Sequence, residues 1–78
     1  MRENQVITLE DGKKYFIHDI IKIMNNNYLY LIRVNDQANS ILNEFIIRKE
    51  KFENGVYSIV ELDNNEIEFF KNQFGHTF

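Results

Sequence analysis

Two dipeptides constrain this chain more firmly than anything else in it: Asp11-Gly12 and Asn54-Gly55, each set between runs of alternating apolar and polar residues. A two-residue turn that suits twisted strands needs positive φ at both central positions, which Asp-Gly and Asn-Gly adopt with little strain. Both predict β-hairpins. Proline, which would interrupt a ladder, is absent. Most of the chain is therefore committed to antiparallel sheet.

Around these turns the elements follow from periodicity. Residues 6–10 read as a strand, with Val6, Thr8 and Glu10 on one face and Ile7 and Leu9 on the other. A type I′ turn at Asp11-Gly12 sets Glu10 opposite Lys13 and Thr8 opposite Tyr15. Residues 15–24 fit two templates. Phe16, Ile17, Ile20, Ile21 and Met24 make a helical stripe, while Tyr15, Ile17, Ile21 and Ile23 make a strand face with Asp19 as the misfit. The density of isoleucine and the absence of an N-cap after Gly12 favour the strand, with Ile17, Ile21 and Ile23 inward. Asn25, Asn26 and Asn27 read as the next turn. Residues 28–34 are apolar on both faces, as a central strand requires. Residues 35–40 are a polar loop, and residues 41–49 and 56–62 are the last two strands. The Asn54-Gly55 turn pairs Phe52 with Tyr57.

The final element is helical, over 64–74. Asp63 is its N-cap and Glu66 lies at N3, a capping-box arrangement; Leu62 can staple to Ile67. Ile67, Phe70 and Phe74 form one stripe, widened by Phe69. Gly75 stands at C′. The fold class is α+β: an antiparallel meander of about five strands packed by one C-terminal helix, in a single domain, 1–78. The pattern is compatible with an open sheet or a barrel-like one.

The order VITLEDGKKY, a long second strand, NYLYLI, a polar loop, then EFIIRKEKFENGVYSIVELDNNEIEFF resembles the YrzB-like family of small bacterial proteins, a domain of unknown function. Ile7, Thr8, Leu9, Asp11 and Gly12 carry the likeness at the first hairpin, residues 28–31 in the central strand, and Gly55 and Glu61 before the helix. It spans about residues 5 to 74. The family is usually strongly acidic, whereas this chain has a net charge of only −3. No activity or catalytic residue is established for it, so the resemblance implies none here.

Composition and motifs narrow the chemistry. With no cysteine in 78 residues, disulfide scaffolds, thiolate zinc sites and thiol nucleophiles are excluded. There is no apolar run long enough for a transmembrane helix and no signal-peptide pattern after Met1, which predicts a cytoplasmic protein with no membrane association. Nine basic against twelve acidic residues argue against general nucleic-acid binding. His18 and His76 are too few and too far apart for a metal site. Neither Ser40 nor Ser58 lies in a nucleophile elbow. Glu44 and Glu61, facing each other across the last two strands, are the one carboxylate pair to consider. No phosphate-binding glycine loop is present. No cofactor is expected.

What is left is a noncatalytic protein-interaction module, acting on an unidentified protein partner or as a homo-oligomer. The alternatives are a small nucleic-acid-associated regulator, given Tyr28, Tyr30, Phe45 and Tyr57, or an inhibitor of a larger enzyme. Two surfaces are candidates. The first strand is a short edge with little guarding charge, so Val6, Thr8 and Leu9 could accept another strand. Glu61, Asp63, Glu66 and Glu68 concentrate acid at the helix start, part of it for capping, the rest available to a basic partner.

Overall fold

The computed structural model describes residues 2–37 and 39–74, with Phe74 in its backbone alone. Five strands follow one another, β1 Val6–Thr8, β2 Lys14–Ile23, β3 Asn26–Val34, β4 Ile41–Glu53 and β5 Val56–Val60, and the helix α1 spans Asn64–Phe74. Every strand pairs antiparallel with its chain neighbours, so the sheet order is β1-β2-β3-β4-β5. The result is an α+β meander curled into a half-barrel, with one C-terminal helix. The curl does not close. Among the described residues β1 and β5 are each paired on one side only.

The turns explain the strand limits. Asn54 (φ 52°) and Gly55 (φ 78°) are both left-handed, and the pairs Glu53–Val56 and Phe52–Tyr57 follow. The β2–β3 connection is also a two-residue turn with positive φ at both positions, but it uses Met24 (φ 50°) and Asn25 (φ 68°). Asn26 and Asn27 consequently belong to β3 rather than to the turn, and Met24 leaves the strand. A methionine there is sterically strained, and its side chain is 89% exposed. Met24→Asn should therefore raise the stability by about 1 kcal/mol, measured by chemical denaturation.

The first hairpin is not the expected type I′ turn. The Gly12 N–H donates to the Leu9 carbonyl (2.9 Å) and the Leu9 N–H to the Lys13 carbonyl (3.1 Å), which makes a three-residue loop with left-handed Gly12 (φ 76°). The register is Thr8–Lys14 and Ile7–Tyr15, one residue away from Thr8–Tyr15 and Glu10–Lys13. The cause is the Asp11 carboxylate. Its oxygens accept from the Lys13 amide (2.8 Å) and the Tyr15 hydroxyl (3.1 Å), holding Asp11 out of the left-handed region. The slip also puts Ile7 opposite buried Tyr15. Among the described residues no atom lies within 4 Å of where a Cβ would stand on Gly12 or Gly55. Gly12→Val or Gly55→Val should still lower stability by about 1–2 kcal/mol from backbone strain alone. Unchanged urea midpoints would exclude left-handed turns at these sites.

β2 is a strand throughout, but its isoleucines do not share one face. A bulge between Ile17 and Asp19 puts both His18 and Asp19 opposite Tyr30, so these two do not alternate across the sheet. Tyr15, Ile17 and Ile20 face the inside of the curl with Leu29 and Leu31; Ile7, Leu9, Ile46 and Ile59 complete that cluster. Beyond the bulge, Ile21 and Ile23 turn to the outer face, where Tyr28, Ile47, Leu62 and Phe70 form the second cluster with Ile67. β3 supplies residues to both, which accounts for its apolar character on both faces. The bulge also brings the His18 ring within 5.5 Å of Tyr30, itself stacked on Phe45 at 5.4 Å.

α1 starts as its sequence signals require. The Glu66 N–H donates to Asp63 Oδ1 (2.8 Å), and the Asp63 N–H donates to Glu66 Oε1 (3.0 Å), a reciprocal capping box. Leu62 is buried, and Ile67 packs on its cluster. Phe70 meets Tyr28 edge-on at 4.9 Å and fixes the helix to the sheet. Gly75 and His76 lie outside the described residues.

Candidate interaction surface

Of the four acids at the start of α1, Asp63 and Glu66 are engaged within the molecule. Glu66 Oε2 accepts from the Tyr28 hydroxyl (2.6 Å) and lies 3.3 Å from Lys49 Nζ, while Oε1 serves the capping box. One carboxylate thus ties the helix N-terminus to β3 and β4. Burial alone would raise its pKa, but the Tyr28 hydroxyl, the backbone at Asp63 and Lys49 together outweigh burial and hold it below the ordinary value of 4.5. Burial, reinforced by the bond to Glu66, pushes Tyr28 up to about 12.

These shifts give both pH limbs a sign. A depressed Glu66 favours folding above its unfolded pKa, and that contribution disappears as the pH falls through 4.5 and then through the lower folded value. A raised Tyr28 favours folding at all pH below 10 and loses this as the pH climbs towards 12. Urea midpoints measured against pH should show both limbs. Glu66→Gln should flatten the acid limb and Tyr28→Phe the alkaline one.

Beside this junction lies an open groove of about 630 Å³, lined by residues 25–27, Lys49, Lys51, Phe52, Tyr57, Val60, Glu61, Asp63 and Glu66 among others. One wall is the β4–β5 hairpin, which extends past the β2–β3 turn because Asn27 pairs with Glu50 and, among the described residues, the strands beyond Glu50 have no third neighbour. Its aromatic pair, Phe52 and Tyr57, has ring centroids 4.5 Å apart, yet both rings remain more than half exposed, as does Val56. β5 is the outer strand of this hairpin and reads Val-Tyr-Ser-Ile-Val, without charge, proline or bulge. Edge strands are normally guarded by one of these features.

The residues singled out from sequence fall into two groups. Val6 and Thr8 are exposed on the β1 edge, whereas Leu9 turns inward onto the concave cluster. β1 is only three residues long. Asp63 and Glu66 are occupied by the cap; Glu61 and Glu68 remain exposed. The curl brings Leu9 and Glu61 to the same cavity of about 300 Å³, with Arg48 and Ile59. The sequence placed these two in separate surfaces. The carboxylate pair does not form: Glu44 bonds Arg33 (3.2 Å), and the β4–β5 register carries Glu61 to the level of Arg48. Sequence reading missed the Tyr28–Glu66–Lys49 junction, whose partners are far apart in the chain. It also missed the β5 edge, although the uncharged run after Asn54-Gly55 was a visible signal.

Among the described residues no three His, Cys, Asp or Glu side chains converge as a metal would need, and no helix is long and apolar enough to cross a membrane. Comparison with known protein families, with curated proteins and with solved structures yields no match to this chain.

Proposed function

We propose that the protein is a noncatalytic, cytoplasmic interaction module that binds a protein through the open edge of its sheet. The observation that carries this reading is β5: five uncharged edge residues, of which Val56 and Tyr57 are exposed, with the exposed Phe52 of β4 paired to Tyr57. Strand addition to such an edge draws affinity from backbone hydrogen bonds and specificity from alternate side chains. The β1 edge offers less, being shorter, with Val6 and Thr8 as its outward positions. The nucleic-acid reading is weaker because the lysines nearest the exposed aromatics are already offset, Lys49 by Glu66 and Lys51 by Glu53 at 2.9 Å. The likeness to YrzB-like proteins belongs to the same proposal and rests on the order of hairpins, central strand and helix.

The test compares edge variants immobilised in extract of the source cell. The β4–β5 register points the Tyr57 N–H outward, so Tyr57→Pro should leave the monomer folded while blocking strand addition. Thr8→Pro does the same at β1. Loss of a captured protein with Tyr57→Pro alone supports the reading. Loss with Thr8→Pro alone moves the site to β1, and retention on heparin that both variants keep, and salt abolishes, would favour nucleic acid.

A further inference from the structure

The edge named above has a symmetry that selects its partner. β5 reads Val56-Tyr57-Ser58-Ile59-Val60, and about Ser58 it is the same in kind in both directions: a large strand-former at 57 and 59, a valine at 56 and 60. Isologous antiparallel pairing requires such self-complementarity, because each residue must suit its counterpart across the twofold axis.

The hydrogen-bond phase agrees. A two-residue turn makes Glu53–Val56 the closing bonded pair, and alternation then directs the backbone of Ser58 and Val60 towards β4. Tyr57 and Ile59 point their N–H and C=O groups away from the sheet. With the axis at Ser58, Tyr57 faces Ile59 of the second copy, and each of these symmetry-related pairs exchanges both backbone bonds. An aromatic opposite a β-branched residue is also a favourable cross-strand pair. Val56 faces Val60 of the second copy, and Ser58 faces its own counterpart. The nearest flanking charge, Glu61, falls opposite Gly55 of the second copy, which has no side chain.

We infer that the protein forms a symmetric dimer by antiparallel pairing of β5 with β5 of a second copy, joining two half-barrels into one ten-stranded sheet. This rests on the reading of β5 as a binding edge and names its partner. A five-residue ladder is short beside ordinary stable interfaces, so the dimer forms with rising protein concentration and dissociates on dilution.

The absence of cysteine makes the register directly testable. Ser58 occupies a non-hydrogen-bonded pair across the axis, where Cα atoms lie about 4.5 Å apart, within the range a disulfide spans. Under mild oxidation Ser58→Cys should give a disulfide dimer. Val56→Cys and Val60→Cys should each form no disulfide dimer alone but cross-link when mixed. Light scattering of the unsubstituted chain should show a concentration-dependent dimer that Tyr57→Pro abolishes. The inference is overturned if Ser58→Cys cross-links no better than Val56→Cys alone, or if the unsubstituted chain is monomeric at every concentration. It is also overturned by open-ended polymers, which pairing of β5 with β1 of the next copy would produce. Should cross-linking fail while Tyr57→Pro still abolishes capture of another protein, the edge binds a different chain and only the second copy is excluded.

Discussion

Replacing Phe70 by alanine should remove about 3–5 kcal/mol of stability. The ring is 1% exposed and lies between Tyr28 on the sheet and Phe69 on its own helix, at centroid distances of 4.9 and 5.3 Å. It is the fully buried side chain of α1 among the described residues. Nothing small can fill that volume, because Ile47 and Leu62 are held by the strand and by the helix entry. A domain of this size has a total stability of about 4–12 kcal/mol. An eleven-residue helix is marginal without packing. Phe70→Ala should therefore strip helical signal from the far-ultraviolet circular dichroism spectrum and lower the urea midpoint by about a quarter or more. A loss under about 1 kcal/mol would mean that the helix is not anchored through this ring.

The opposite face should respond as strongly to Leu31→Ala, by about 2–5 kcal/mol. Leu31 is fully buried on the inside of the curl, among Tyr15, Ile17 and Leu29. It lies on the central strand between Ile17 and Ile46, so neither neighbour can collapse into the space without moving the ladder. Leu42→Ala, at a position 38% exposed on β4, is the matched control and should change stability by no more than about 0.5 kcal/mol. Equal effects at the two leucines would contradict the division of the sheet into an inner cluster and an open flank.

How much of this was legible in the chain depended on whether the cause was local. Asn54-Gly55 was readable because both residues tolerate positive φ and both adopt it. Asp11-Gly12 looked equivalent and was not, because the Asp11 carboxylate found the Lys13 amide and the Tyr15 hydroxyl. The capping box at Asp63 and Glu66 could be read in advance, since it is made within four residues. The bulge at His18 could not. No composition marks it, and it arises because Tyr15 and Ile17 are buried on one face while Ile21 and Ile23 are needed on the other. The candidate edge was half legible. That a meander leaves two open strands follows from strand order, but which is the longer and barer depends on where the ladders stop, and those limits are set in three dimensions.

The strand order has a bearing on how the chain reaches this state. Because each strand pairs with the one just before it, the ladders can form in succession with only short loops to close. A chain leaving the ribosome can zip β1, β2 and β3 together, and begin to assemble the inner cluster, while β4 is still being made. The bond between Tyr28 and Glu66 spans 38 residues and can form only once the start of the helix has emerged. The order of appearance is then sheet first and helix last, and until the helix arrives Tyr28 and Ile47 stand bare on the outer face. That interval, more than the finished fold, is when this protein is most exposed to aggregation.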